Sequence, residues 1–442
     1  MPALLYTLGT FALILVLVRL RVPLAVAILA GAVATGALFG LGHVDVIRAL
    51  AAGAVKPTTL ALLVIIMLIL ILSQIMQQGG QMEQIVSLAR GCLRRPALAM
   101  AALPALIGLL PMPGGALFSA PMVDSAAVAA RVKPARLSAI NYWYRHVWEH
   151  WWPLYPGVIL AVTLRGCDLW AFIVQQAPLG LLTIVAGLVI FRGVHPDLHA
   201  VSPAPPPGTK RKLLAATSSI WIVLIVWAVV RGGMFAAIGS APQQLPAGPP
   251  LRVEQVTARL VHVFVPISLG LLASLIWTVR TSRLGWRQAA RILARGTIYK
   301  TAALVLSVMV YQYMLGRVGA AEQVGRELTG YHVPVMLVVV SLPFIAGMVT
   351  GLAIGFVGTS FPIVLELLTG AGGQVSIVPS AVLAFASGHL GMMLSPLHLC
   401  HILSNRYFKT SFGPVYRHLL LAAVIMAVFV AGYFLLLRAI VT

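Results

Sequence analysis

One short stretch of this 442-residue chain contains the side chains that are best suited to binding or catalysis. It reads Asn141-Tyr142-Trp143-Tyr144-Arg145-His146-Val147-Trp148-Glu149-His150. A cation, a carboxylate and two histidines so close together can bind an anion, move a proton or hold a metal ion. His146, Glu149 and His150 also match the pattern H-x-x-E-H, in which two histidines bind zinc beside a glutamate base. Which of these chemistries is possible depends on the helices and loops that position the stretch.

The composition is that of a membrane protein. The chain is 60% hydrophobic and 9% charged, with a mean hydropathy of +0.97. Many of its apolar runs approach the roughly 20 residues that a helix needs to cross the hydrocarbon core. We therefore predict an all-α polytopic membrane protein, embedded in the lipid bilayer, with no sizeable soluble domain.

Two other compositional features favour this class. The net charge of +21 could indicate a nucleic-acid partner, but Lys and Arg cluster in short loops between apolar runs, as a topology signal does. We expect no nucleic acid. Cys92, Cys167 and Cys400 are too few and too scattered for a disulfide framework or a Cys-rich metal site. We expect them to be packing residues, and we expect no cofactor and no metal.

Apolar length and chain breakers predict about ten spans. They lie near residues 3–18, 22–42, 58–77, 137–164 and 169–191 in the first half, and near 213–230, 257–279, 298–316, 379–404 and 416–440 in the second. A Pro-rich polar linker, 195–212, separates the halves and should be extended. The first span lacks a basic n-region, so we expect a retained helix rather than a signal peptide.

The pattern Gly-x-x-x-x-Ser-x-Pro occurs once in each half, from Gly114 to Pro121 and from Gly355 to Pro362. Broken backbone at membrane depth needs protein or a water-filled cavity to satisfy its polar groups. Two such segments at corresponding places point to the binding site of a secondary transporter. We predict two re-entrant hairpins, near 96–130 and 332–371, that turn at the glycines of the pattern.

A proline-broken span follows each predicted hairpin, over 137–164 and 379–404. The distance from Gly114 to Pro153 is 39 residues and that from Gly355 to Pro396 is 41, which indicates an internal duplication. Five crossings plus a hairpin in each half make the two repeats, 1–194 and 213–442, inverted relative to each other.

The basic residues orient this topology. It places 21 of the 31 Lys and Arg on one side and 9 on the other, with Arg145 inside the membrane. By the positive-inside rule, the rich side and the linker are cytoplasmic and both termini face outward.

Helix geometry puts Arg145 about 12 Å and Glu149 about 18 Å deep, near the midplane, where charge is functional by default. Helix N-termini at the two hairpin tips would suit an anion there. The predicted substrate-binding residues are Gly114, Gly115, Ser119, Asn141, Arg145, Gly358, Thr359, Ser360 and Ser387. His146, Glu149 and His389 are the candidates for coupling to H⁺ or Na⁺, which the sequence does not distinguish.

Three alternatives stay open from the residues alone. Arg145 and Glu149 at i and i+4 would equally form a structural ion pair on one helix face. The H-x-x-E-H pattern fits an intramembrane zinc hydrolase using His146, Glu149 and His150, with a third ligand from His389, Glu366 or Asp124. Zinc that is lost on His150→Ala would support that class. A passive channel would instead show a leak independent of ion gradients.

The motifs Pro111-Met112-Pro113-Gly114-Gly115 and Asn141 to Glu149 resemble an uncharacterised integral-membrane permease family of the ion-transporter superfamily, the group that includes dicarboxylate/sodium symporters and citrate and gluconate permeases. The resemblance spans nearly the whole chain. It implies two inverted repeats, each with a re-entrant hairpin and an unwound helix, in a homodimer that works by an elevator movement.

This resemblance has a limit at the hairpin tips. The Ser-Asn-Thr triplets of the dicarboxylate symporters are replaced by Phe118-Ser119-Ala120 and Gly358-Thr359-Ser360, so it does not extend to their substrate or sodium site. The sequence as a whole predicts a secondary active transporter of a small anionic organic solute in the inner membrane, and no enzyme.

Overall fold

The computed structural model describes residues 2–93, 95–111, 114–127, 132–192, 205–238, 253–282, 284, 286–293, 296–320, 323–324, 326–327, 334–370 and 376–441. All regular secondary structure within these ranges is helical. The predicted all-α class is therefore confirmed.

The first half consists of ten helices within the described residues. They are α1 (Pro2–Arg19), α2 (Leu24–Leu38), α3 (His43–Val55), α4 (Pro57–Gln78), α5 (Gln81–Cys92), α6 (Pro96–Gly108), α7 (Ala116–Ala127), α8 (Pro134–Arg145), α9 (Pro156–Arg165) and α10 (Leu169–Gly187), which a 3₁₀ turn (Leu188–Phe191) extends. The short helices α3 and α5 were not predicted, because neither is long or apolar enough to register as a span.

The second half has a corresponding series. Its helices are α11 (Thr209–Ala216), α12 (Ser218–Ile238), α13 (Val253–Thr281), α14 (Trp286–Leu293), α15 (Gly296–Arg317), α16 (Val335–Thr350), α17 (Ala353–Gly370), α18 (Ile377–Met393), α19 (Leu399–Tyr407) and α20 (Phe412–Val441). Most of the predicted linker, 195–204, lies outside the described residues, and its end is the start of α11.

Seven of the described helices are long and apolar enough to cross a membrane: α1, α4, α10, α12, α13, α15 and α20. Shorter apolar helices, among them α2, α6, α9, α16 and α18, pack between them. The chain is thus a multi-pass membrane protein, as the composition predicted.

Both predicted hairpins form pairs of packed helices. In the first hairpin α6 packs on α7, and in the second α16 packs on α17. The first connection contains Gly114, whose φ of +74° is in the left-handed region that favours glycine. The first hairpin therefore turns where the sequence pattern placed it.

The predicted turn of the second hairpin is four residues too late. The chain reverses at Gly351, which has a φ of +62°, and α17 begins at Ala353. Gly355 lies inside α17, where a Cβ would meet the side chain of Thr350. Gly355 is therefore a packing residue, and the second copy of the pattern is helical.

The helices are interrupted within both predicted broken spans. The first broken span runs through α8, an unwound segment over 146–155, and α9, which begins at Pro156. Proline suits the first position of a helix because its missing N–H needs no partner there. The second broken span consists of α18 and α19, with Pro396 in the interruption. Each break thus lies at prolines that the sequence marks.

Glu327 holds the first turn of α1. Its Oε1 and Oε2 accept hydrogen bonds from Ala3 N at 3.0 Å and Leu4 N at 2.8 Å. Partial burial works to raise the pKa of Glu327, but the N–H groups of Leu4 and Ala3 outweigh it and hold the pKa below its ordinary value. The carboxylate therefore stabilises the start of α1 fully above the unfolded pKa of about 4.3, and this contribution disappears as pH falls through the lower folded pKa.

We expect Glu327→Gln to speed amide exchange at Ala3 and Leu4 at neutral pH, because a neutral amide is a weaker acceptor than a carboxylate at a helix N-terminus. Hydrogen-exchange mass spectrometry of the N-terminal peptide measures this. The difference from the wild type should vanish below the folded pKa. Asp45→Asn, in the first turn of α3, is the matched control and should leave these amides unchanged. Equal exchange in Glu327→Gln and the wild type at neutral pH would contradict the prediction.

Candidate functional site

The candidate site lies where the first hairpin meets both broken spans. Helix α7 packs on α8 and α19, and α6 packs on α8. The interruption of each span brings polar residues from one half against polar residues from the other. We call the resulting group the central cluster; its members are Arg145, His146, Glu149, Tyr155, His398 and Cys400.

Arg145 is the last residue of α8 and is only 3% exposed. Its guanidinium lies directly against Gly115, where a Cβ would overlap the guanidinium atoms. Cys400, Tyr155 and Glu149 interact with it electrostatically. The structure therefore brings a buried cation to the tip of the first hairpin.

Glu149 lies beyond the end of α8, so it and Arg145 are not an i, i+4 pair on one helix face. Its Oε1 is 3.8 Å from His146 Nε2, and it also interacts with His398, Arg145 and Tyr155. Arg145 and Glu149 are therefore not an isolated ion pair. They belong to a larger group of ionisable side chains that both broken spans contribute.

Ser119 and Asn141 lie together in a hydrogen-bond network. Ser119 Oγ donates to Asn141 Oδ1 at 2.6 Å, and Asn141 Nδ2 donates to Ser404 Oγ at 2.6 Å and to Ala116 O at 3.1 Å. Ser138 Oγ donates in parallel to Asn405 Oδ1 at 2.6 Å. These bonds tie the first hairpin and α8 to α19.

The predicted residues of the second hairpin are placed differently. Thr359 Oγ1 donates to Gly355 O at 2.8 Å and Ser360 Oγ donates to Phe356 O at 2.6 Å, so both hydroxyl protons are engaged within α17. Gly358 packs against Val308 of α15. Ser387 is buried within α18. A role for these residues in substrate binding stays a prediction, and it would require the two hydroxyls to exchange partners.

His150 and His389 form a second buried group. Their ring centroids are 3.9 Å apart, and His150 Nε2 is 3.1 Å from Thr183 Oγ1. The H-x-x-E-H pattern needs His146 and His150 on one face of a helix, but α8 ends at Arg145 and the two side chains have different neighbours. Asp124 interacts with Tyr407 of α19. The geometry therefore does not favour the zinc hydrolase.

Glu366, the other acidic ligand considered for that hydrolase, lines a cavity of about 360 Å³. Lys56, Gln312 and Arg317 share this cavity, and none of the predicted substrate-binding residues lines it. Lys56 Nζ lies 5.8 Å from the centroid of the Tyr313 ring at its edge. The cavity is therefore not part of the candidate site.

Three residues of the central cluster were not predicted from the sequence. Cys400 was expected to be a packing residue, and His398 and Tyr155 were not selected. A signal was present, because His398 and Cys400 follow Pro396 closely, as His146 precedes Pro153 in the first broken span. Polar residues near the corresponding breaks of two related halves therefore indicate a shared site.

Aromatic donors satisfy the backbone around the first break. Trp148 Nε1 donates to Ala105 O at 2.7 Å, Trp143 Nε1 donates to Thr183 O at 2.9 Å, and the Tyr155 hydroxyl donates to Gly108 O. Trp143 and Tyr155 are buried, so these rings are not an interfacial belt. They pack the unwound segment against α6 and α10.

These features define a class: multi-pass helical membrane proteins with two helical hairpins and two interrupted helices. A solved structure with a similar fold is that of the YdaH transporter of Alcanivorax borkumensis, described as having an unusual topology. The TM-score is 0.52 and the identity 16%, over 89% of this chain and 88% of that one. The likeness shows a shared fold.

The chain belongs to the family described as "Protein of unknown function (DUF401)", whose profile matches residues 3–203 and 250–437. The two matched segments contain every residue of the central cluster. No match to the chain is found among curated proteins.

Proposed function

We propose that this protein is a secondary active transporter that moves a small anionic organic solute across the inner membrane. The observation that carries the proposal is Arg145, a buried cation held against Gly115 at the tip of the first hairpin. A buried cation in a membrane protein marks a substrate or ion path by default. The fold shared with a transporter supports the same conclusion.

The proposed architecture consists of two inverted repeats, 1–194 and 213–442, with N- and C-termini outside and about ten crossings. Each half contains, in the same order, a packed helical hairpin and then a broken span, which supports the duplication. In this arrangement the two hairpins are re-entrant. The protein works as a homodimer by an elevator movement, as its resemblance to the ion-transporter superfamily implies.

Arg145 binds the anionic group of the solute, with backbone N–H groups near Gly114 and Gly115 at the start of α7 as further donors. Ser119 and Asn141 hold the hairpin tip in place through their bonds to Ser404 and Ala116. Glu149, with His146 as its neighbour, is the first candidate for coupling to H⁺ or Na⁺, because its carboxylate faces the same guanidinium. His389 is the second.

The experiment that tests the function begins with purified protein. A thermal-shift screen against organic acids, amino acids and inorganic oxyanions, at varied pH and sodium, identifies a ligand. Uptake of that radiolabelled ligand into proteoliposomes is then measured with an imposed proton or sodium gradient and without one. We expect accumulation only with a gradient. Equal flux in both conditions would indicate a passive channel, and no flux of any stabilising ligand would contradict transport.

Gly115→Ala gives a sharper test of the site. The added Cβ would displace the guanidinium of Arg145, so we expect the initial uptake rate to fall about tenfold or more, corresponding to about 1.4 kcal/mol. The thermal stability should change little, because the contact is with the flexible end of a side chain.

Gly9→Ala is the matched control for Gly115→Ala. It lies inside α1, and nothing lies within 4 Å of the Cβ that the substitution adds. Its uptake should equal that of the wild type. If Gly115→Ala and Gly9→Ala transported equally well, Arg145 would not bind the solute from its position at the hairpin tip.

A further inference from the structure

We propose that His146, His398 and Cys400 form a transition-metal site between the two broken spans. All three residues are buried, and one ligand atom of each lies within 4.8 Å of the others. Zinc at about 2.0–2.3 Å from nitrogen and sulfur places tetrahedral ligands about 3.5 Å apart. Binding would therefore draw the three atoms together by about 1 Å. This proposal replaces our expectation from the sequence that the chain binds no metal.

The tautomer of His146 suits a ligand. Its Nδ1 lies 2.6 Å from the carbonyl oxygen of Tyr142, so Nδ1 carries the proton and donates it. Nε2 is then the unprotonated nitrogen, and it faces Glu149 across 3.8 Å. Metal-binding histidines commonly donate their other N–H to a carbonyl in this way, which fixes the ring and raises its basicity.

His398 provides an independent indication of a ligand. It is 5% exposed, and its buried Nδ1 has no hydrogen-bond partner among the described residues. A buried polar atom in this state needs an explanation. His389 and His401 also have such nitrogens, but His398 is the one grouped with a thiol. A cation bound by Nδ1 would give that nitrogen a partner.

The donor set selects the kind of ion. One thiolate and two imidazoles suit Zn²⁺ and similar borderline ions, whereas Mg²⁺ and Ca²⁺ prefer oxygen ligands. The carboxylate of Glu149 is the nearest candidate for a fourth ligand.

Cobalt titration of the purified, chelator-treated protein in detergent tests the site. Co²⁺ bound to a thiolate gives a near-ultraviolet charge-transfer band, which we expect to saturate at one ion per chain and to be displaced by Zn²⁺. Cys400→Ser should abolish the band, and His398→Ala should weaken binding at least about tenfold. The double variant Cys92→Ser/Cys167→Ser should keep the band, because these cysteines lie outside the cluster.

If Cys400→Ser or His398→Ala fails to fold, measurements on the wild-type protein alone can still overturn the proposal. X-ray absorption of the zinc-loaded protein should show one sulfur and several nitrogen or oxygen neighbours. Absence of a cobalt band, or zinc surrounded by oxygen and nitrogen only, would exclude the site. Neither measurement uses uptake, so failure of the metal site and failure of the transport proposal are distinguishable.

Discussion

Arg145→Gln should reduce substrate uptake at least about 100-fold while the protein remains folded. Truncating one partner of a buried charge pair between a protein and its ligand costs about 3 kcal/mol of binding free energy, and each 1.4 kcal/mol is about a factor of ten. Glutamine keeps part of the length and polarity of arginine but loses the charge. Uptake of the ligand identified by thermal shift, in proteoliposomes with an imposed ion gradient, measures the loss.

Two further variants define what the result means. Arg145→Lys keeps the charge without the planar fork of donors, so its uptake should lie between those of the wild type and Arg145→Gln. Arg165→Gln is the matched control, because Arg165 ends α9 and its guanidinium donates to Gln175. It should transport at the wild-type rate. Normal uptake by Arg145→Gln would remove Arg145 from the substrate site and, with it, the observation on which the proposed function rests.

Asn141→Leu should destabilise the protein by about 2–4 kcal/mol. The substitution keeps the branched shape and the number of heavy atoms of the side chain but removes the acceptor of Ser119 and both donor bonds, to Ser404 and to Ala116 O. These partners are buried, so they cannot turn to water instead. The midpoint of thermal unfolding in detergent, followed by circular dichroism, measures the change.

Asn405→Leu is the matched comparison, since Asn405 is the other asparagine of the chain. It is also buried, but it accepts one side-chain bond, from Ser138, and its Nδ2 has no partner among the described residues. We expect a smaller loss of stability than for Asn141→Leu. Equal losses in the two variants would mean that cavity and packing effects dominate, and that the Asn141 network does not hold the hairpin in place.

The sequence predicted much of the fold because local chemistry decides it. The preference of glycine for a left-handed turn and that of proline for the first position of a helix depend on a few neighbouring residues only. Gly114 therefore marks the turn of the first hairpin, and Pro156 marks the start of α9. The second turn was misplaced because Gly347, Gly351 and Gly355 stand four residues apart. Composition cannot tell which of three glycines turns the chain and which merely allow close packing.

The candidate site was less accessible from the sequence. Arg145 and Asn141 were found because a charge or amide in an apolar stretch is conspicuous. Cys400 was not, because a cysteine among apolar residues is usually a packing residue. Its neighbour His146 is distant in sequence, and only the crossing of the two broken spans brings them together. The hydrogen bond from Ser360 Oγ to Phe356 O could not be predicted from the sequence either, because it depends on the rotamer of the serine side chain.

The indole and phenol groups around the first break have an electrostatic consequence. Arg145 is only 3% exposed, and Trp148, Trp143 and Tyr155 satisfy carbonyl oxygens of the neighbouring helices, so we expect surroundings of lower permittivity than water. A charge in such surroundings acts on a nearby anion far more strongly than it would in water, and mobile ions do not screen it. Attraction between Arg145 and a bound anion would thus be nearly independent of ionic strength. Phenylalanine at these positions would remove the donors and leave the carbonyl oxygens open to water, and so weaken that attraction from a distance.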